Sequence, residues 1–69
     1  MKVLIFGSSG NTGKIITNYF INKNYMVYGV SRSNIKEKRK GYRHFIGNIT
    51  KKELFIKLPK EIDIIINLA

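Results

Sequence analysis

The chain has 69 residues, with 13 lysines and arginines against 4 aspartates and glutamates, a net charge of +9, and neither cysteine nor tryptophan. A polypeptide this short buries only about 60% of the surface that its unfolded state exposes, which leaves room for one hydrophobic core and excludes a second domain. Without cysteine there is no disulfide framework, no thiolate-bound metal centre and no thiol nucleophile, and a reducing, cytoplasmic setting is expected.

Val3-Leu4-Ile5-Phe6 is an unbroken apolar run. It reads as a strand covered on both faces rather than one alternating between core and solvent. It is too short for the apolar core of a signal peptide, and no run approaches the roughly 20 residues of a membrane helix. Gly7-Ser8-Ser9-Gly10-Asn11-Thr12-Gly13 breaks the strand. From Gly13 to Lys23 the residues Ile15, Ile16, Tyr19, Phe20 and Ile21 recur at helical spacing, with Asn11 or Thr12 as N-cap, and Asn22-Lys23-Asn24 ends the helix. Tyr25 to Val30 is a second β-prone run, Ser31 to Lys40 a basic loop or frayed turn, and Tyr42 to Ile46 a third strand. Thr50 and Glu53 form a capping-box pattern ahead of a short helix marked by Leu54, Phe55 and Leu58 and stopped by Pro59. Asp63 to Ala69 is the fourth strand, apolar with almost no alternation.

The order β-α-β-β-α-β suits either the first half of a doubly wound parallel sheet or the split βαβ sandwich of RNA-recognition domains. The unalternating first and fourth runs favour the parallel sheet, since a sheet with one wet face would show period two.

Three glycines in the order Gly7-x-x-Gly10-x-x-Gly13, directly after a strand and before a helix, carry the chemistry. Gly7 permits a sharp turn, Gly10 lets backbone approach a bound group, and Gly13 allows close packing of helix on strand. Unpaired N–H groups at the helix start favour a phosphate, and Ser8, Ser9, Asn11 and Thr12 can add hydrogen bonds. The spacing is not that of a Walker A loop, and Lys14 is followed by Ile15 rather than Ser or Thr.

Ile5-Phe6-Gly7-Ser8-Ser9-Gly10-Asn11-Thr12-Gly13 resembles the nucleotide-binding signature of the extended and atypical short-chain dehydrogenase/reductases, the NAD-dependent epimerase/dehydratase and NmrA-like group. The resemblance covers nearly the whole chain and implies a partial Rossmann fold. It implies that Gly7, Ser9, Gly10, Asn11, Thr12 and Gly13 cradle a dinucleotide. Ser31, Arg32 and Ser33 end the second strand, where cofactor choice is made. Asn48 and Ile49 correspond to a Gly-Asp-hydrophobic segment beside the adenine, with Asn in place of the family's Asp, and Leu68 and Ala69 begin a small-residue stretch along the cofactor. An NAD site carries an acid about 20 residues past the glycine turn; here Ser31-Arg32-Ser33 stands there, and Arg32 can pair with a 2′-phosphate. NADP(H) is therefore expected in preference to NAD(H).

The family's catalytic Tyr-x-x-x-Lys pair would lie beyond the fourth strand, so the chain is expected to be a truncated cofactor-binding half of an oxidoreductase or sugar-nucleotide epimerase/dehydratase, inactive alone, and able to associate through its uncovered fourth strand. The literal match Tyr19-x-x-x-Lys23 falls in the first helix, with Tyr19 expected on the sheet-packing face, and reads as coincidence. His44 reads as a surface residue on a strand edge, and no metal-ligand constellation is present. The alternative function is a small RNA-binding domain, which the charge and Lys40-Gly41-Tyr42 with Phe45 faintly favour. Most of the lysines read as solvated surface.

Overall fold

The computed structural model describes residues 1–32, 39–47 and 59–68. These form, in order, strand β1 (Lys2–Phe6), helix α1 (Asn11–Asn22) and strands β2 (Met26–Ser31), β3 (Tyr42–Ile46) and β4 (Ile64–Asn67). All four strands are parallel in one sheet of order β3-β2-β1-β4. The chain steps outward from β1 through β2 to β3 and then returns to the other side of β1, the winding with which a doubly wound α/β sheet begins. Parallel pairing throughout removes the split βαβ sandwich, which needs antiparallel neighbours. The expected second helix, with Thr50, Glu53, Leu54, Phe55 and Leu58, lies outside the described residues.

Alternation along β1 and β2 sends side chains to two cores. Val3, Ile5 and Val27 are buried beneath α1, packed by Ile16, Phe20 and Ile21 of the helix and by Ile64 and Ile66 of β4. Leu4, Phe6, Tyr28 and Val30 form the core of the opposite face, joined by Met26, Phe45 and Ile62. Both faces of β1 are thus covered, as its apolar run requires. The fourth strand departs from the expectation of burial on both sides: Ile64 and Ile66 are half-buried, whereas Ile65 is 64% exposed. Among the described residues, Ile64 and Ile66 pack against the Val3, Ile5 and Val27 core while Ile65, on the other face, stays exposed, so an apolar sequence yields an alternating burial pattern.

The helix is rotated from its expected setting. Gly13 and Thr17 lie buried at the centre of its contact stripe. At 100° per residue that stripe takes in Ile16, Phe20 and Ile21 and turns Ile15 and Tyr19 outward, where they are 70% and 55% exposed. Tyr19 therefore does not pack on the sheet. Its ring instead carries the Lys23 ammonium 4.9 Å from the centroid, and the hydrogen bond with Tyr19 raises the lysine pKa above its usual range. The helix closes with Asn24 in the left-handed region at φ 64°. Tyr25 N–H donates to Phe20 O and Asn24 N–H to Ile21 O, at 3.0 and 2.9 Å, a Schellman termination.

At the amino end of the sheet, Lys2 N–H donates to Asp63 Oδ2 at 2.7 Å. Asp63 N–H returns a bond to Lys2 O at 2.9 Å. This reciprocal pair fixes the entry of β4 against β1.

Candidate functional site

The register Val30↔Phe6↔Asn67 sets the carboxyl ends of β2, β1 and β4 side by side. Between β1 and β4 the winding reverses, and in open α/β sheets ligands bind outside the carboxyl ends at such a switch point. The glycine turn emerges from β1 at this place. Gly7 takes φ 83°, a left-handed conformation that side chains rarely adopt. Its N–H donates to Val30 O at 2.8 Å, and Ser8 N–H approaches the same carbonyl at 3.4 Å. The turn is thereby tied to β2.

The three glycines serve different ends. A Cβ on Gly13 would stand 2.6 Å from Ser8 O and 2.7 Å from Gly7 O, so the first turn of α1 sits directly against the backbone of the loop. Gly10 is the N-cap, at φ −77° and ψ 173°, an extended conformation open to any residue. A Cβ there would meet nothing within 4 Å. Neither backbone angle nor packing thus demands a glycine at Gly10, and a side chain there would enter open space at the helix start.

The helix begins before Gly13, so neither Asn11 nor Thr12 is the cap, and no side chain caps it. A glycine at the cap position cannot fold an oxygen back onto the first turn. The earliest bond of the α1 ladder runs from Lys14 N–H to Gly10 O at 3.0 Å. The amides of Asn11, Thr12 and Gly13 precede it, have no acceptor within the helix, and form the positive end of its dipole. No acidic residue stands in that first turn.

The expected site residues converge where they are described. Gly7, Ser9, Gly10, Asn11, Thr12 and Gly13 form the turn and helix start, and Ser9, Asn11 and Thr12 are exposed. Ser31 closes β2, buried, and exposed Arg32 follows it at the same rim. Leu68 stands beside the turn, its N–H donating to Phe6 O at 2.8 Å. Ser33, Asn48, Ile49 and Ala69 lie outside the described residues.

A second group of residues meets under the turn. Ser8 Oγ, 2% exposed as a residue, lies 3.0 Å from the Tyr42 hydroxyl. That hydroxyl lies 2.9 Å from His44 Nδ1, and His44 Nε2 lies 3.0 Å from Ser31 Oγ. The Tyr42 and His44 rings stack with centroids 6.1 Å apart. Burial pushes the Tyr42 hydroxyl above the ordinary tyrosine range, and its hydrogen bond with Ser8 offsets part of that rise. His44 is therefore not a bare surface residue of an edge strand: it is half-buried and bonded through both ring nitrogens. Two signals for this network were present in the sequence. Tyr42 and His44 stand two apart on a strand and so share a face, and Gly29 interrupts an otherwise bulky β2, which marks a close approach. In the structure the Tyr42 hydroxyl and Ser8 Oγ occupy the place where a Gly29 Cβ would stand.

A separate depression of about 370 Å³, lined by Ile21, Asn24, Tyr25, Met26, Lys40 and Gly41, opens at the amino ends of β2 and β3. It lies at the opposite edge of the sheet from the glycine turn. The ligand rule for wound sheets and the uncapped helix start at Gly10 both favour the carboxyl rim.

Residues 3–69 match the model of the NAD dependent epimerase/dehydratase family. No curated protein and no solved structure matches the chain.

Proposed function

Since this chain belongs to the NAD dependent epimerase/dehydratase family, we propose that its carboxyl rim holds NADP(H) in preference to NAD(H), as the cofactor-binding part of an oxidoreductase or of a sugar-nucleotide epimerase or dehydratase. A nicotinamide dinucleotide is the cofactor class of the family. The observation that carries the assignment to this rim is Gly10, a glycine that neither backbone angle nor packing requires, at the cap of a helix whose first amides lack intrahelical acceptors.

In this reading the amides of Asn11, Thr12 and Gly13 bind the pyrophosphate, with Ser9 and Thr12 hydroxyls beside them. Gly7 and Gly13 hold the loop down so that it can come close. Arg32, at the end of β2 and with no acid on the described part of that rim, pairs with the 2′-phosphate. Leu68 lines the β4 side. Ser31 and Ser33 complete the ribose end, Asn48 and Ile49 the adenine end, and Ala69 continues the wall from Leu68. When bound, the nicotinamide supplies reversible hydride transfer at a substrate carbon. The residues named here supply grip, orientation and the choice between dinucleotides.

Fluorescence titration of the chain with NADPH and NADH provides the test. Gly10→Ala, which enters open space, should leave stability within about 0.5 kcal/mol yet weaken both dinucleotides at least about ten-fold. Arg32→Ala should lower the NADPH:NADH affinity ratio by roughly 10- to 100-fold, the worth of one charge-assisted hydrogen bond. A Gly10→Ala chain that binds both dinucleotides as the wild type does would remove the cradle from the argument, and an unchanged ratio in Arg32→Ala would remove the NADP preference.

A further inference from the structure

We infer that Tyr42 and His44 are positioning residues that join the glycine turn and the end of β2 into one dinucleotide-reading unit, through the continuous chain Ser8–Tyr42–His44–Ser31. The inference rests on the proposed dinucleotide reading of the rim.

The geometry supplies the link. Three hydrogen bonds of 3.0, 2.9 and 3.0 Å connect a side chain of the turn to the last residue of β2 by way of β3. Phenol and imidazole are half-buried, on the α1 face of the sheet that Tyr42 shares with Val27 and that alternation gives His44 as well. β2 is built to admit them, because Gly29 leaves vacant the volume that Ser8 Oγ and the Tyr42 hydroxyl take up. A network serving β3 alone would not need a glycine in the neighbouring strand and a buried serine in the loop beyond it.

Direction passes along such a chain. A neutral imidazole has one donor and one acceptor nitrogen. If Nδ1 accepts from Tyr42, Nε2–H donates to Ser31; if Nδ1–H donates to Tyr42, Nε2 accepts from Ser31. The single Tyr42 proton likewise goes either to His44 or to Ser8. With a neutral imidazole and the Tyr42 proton given to one of these two partners, the hydrogen-bonding sense at Ser8 sets the sense at Ser31. A ligand that settles the turn acts on the strand end where Arg32 chooses between a hydroxyl and a phosphate.

The prediction is non-additivity between two serines that the network joins only through other residues. Ser8→Ala, Ser31→Ala and the double variant would be titrated with NADP+ and NAD+, with circular dichroism and thermal melting to verify folding. Coupling through the network should make the double variant bind NADP+ about three-fold or more tighter than the product of the single effects predicts. In a Tyr42→Phe background, which keeps the ring and breaks the chain, the same cycle should become additive. His44→Asn, with an amide near the Nδ1 position only, and His44→Gln, with one near the Nε2 position only, each break the chain at one nitrogen and should both alter the NADP+:NAD+ ratio. Additive effects in the wild-type background, or a ratio that ignores both His44 variants while melting temperature alone changes, overturn the inference and leave the dinucleotide reading standing. A wild-type chain that binds neither dinucleotide overturns both.

Discussion

Tyr42 presents a hydroxyl to a place where ionisation is disfavoured. Its burial raises the folded pKa above that of the unfolded chain, which for a free tyrosine is about 10. Above that pH the unfolded chain releases a proton that the folded chain keeps. The stabilisation is fully present below the unfolded pKa and is lost as pH rises through the folded value. Alkaline unfolding, followed by urea midpoints from pH 9 upward, should therefore be less steep in Tyr42→Phe than in wild type. An equal slope in the two chains would show that the hydroxyl does not feel its surroundings. The same residue explains why Gly29 stands in a strand of otherwise bulky residues: alanine there would press on the Tyr42 ring carbon at 2.7 Å as well as on its oxygen.

Within α1, the buried stripe is not wholly apolar. Thr17 is buried, and its Oγ1 has no hydrogen-bond partner among the described residues. An unsatisfied buried hydroxyl costs free energy, while replacement by an apolar group of the same shape is neutral or favourable. Valine has threonine's shape and a similar helix propensity. Thr17→Val should raise stability by up to about 1 kcal/mol, seen as a higher urea midpoint at unchanged slope; a loss of stability would mean that the hydroxyl makes a stabilising hydrogen bond after all. The β4 element poses the opposite case, an apolar residue in water. Ile65 faces outward on an outer strand, and such strands are blunted in soluble proteins by lysine. Ile65→Lys should shift stability by less than about 0.5 kcal/mol and raise the concentration at which light scattering still reports a single small species.

At the scale of the whole molecule, the strands and their parallel pairing were legible because β1 carries four apolar residues without alternation, which only a doubly covered strand tolerates. The glycine turn was legible from spacing and context, down to the sharp turn at Gly7 and the close helix seat at Gly13. What escaped was the rotation of α1. Ile15 and Tyr19 satisfy a helical apolar pattern as well as Ile16 and Phe20 do, and only the close seat of Gly13 on the loop, visible in three dimensions, decides which stripe faces the sheet. His44 escaped for a related reason. Its partners are Ser31 of β2 and Tyr42 of its own strand, and Tyr42 in turn meets Ser8 of the loop after β1; no contiguous stretch of sequence brings those together. The +9 charge suggested a polyanion in general. In the proposed reading the anion binds at the amino end of α1, with the remaining field helping to steer a charged ligand toward it.

The position of β1 in the sheet also bears on how the molecule is assembled in time. β1 leads the chain but lies inside the sheet, flanked by residues 26–30 on one side and 64–67 on the other. The first pairing closes a short loop around α1, whereas the second joins residues separated by nearly the length of the chain, as the Lys2–Asp63 bond spans 61 positions. Contacts of such wide sequence separation slow folding, because their loop-closure entropy is paid before they repay it. During synthesis the turn, α1 and β2 can therefore meet while β4 is still being made. By that order the glycine turn precedes the crevice between β1 and β4 that it borders.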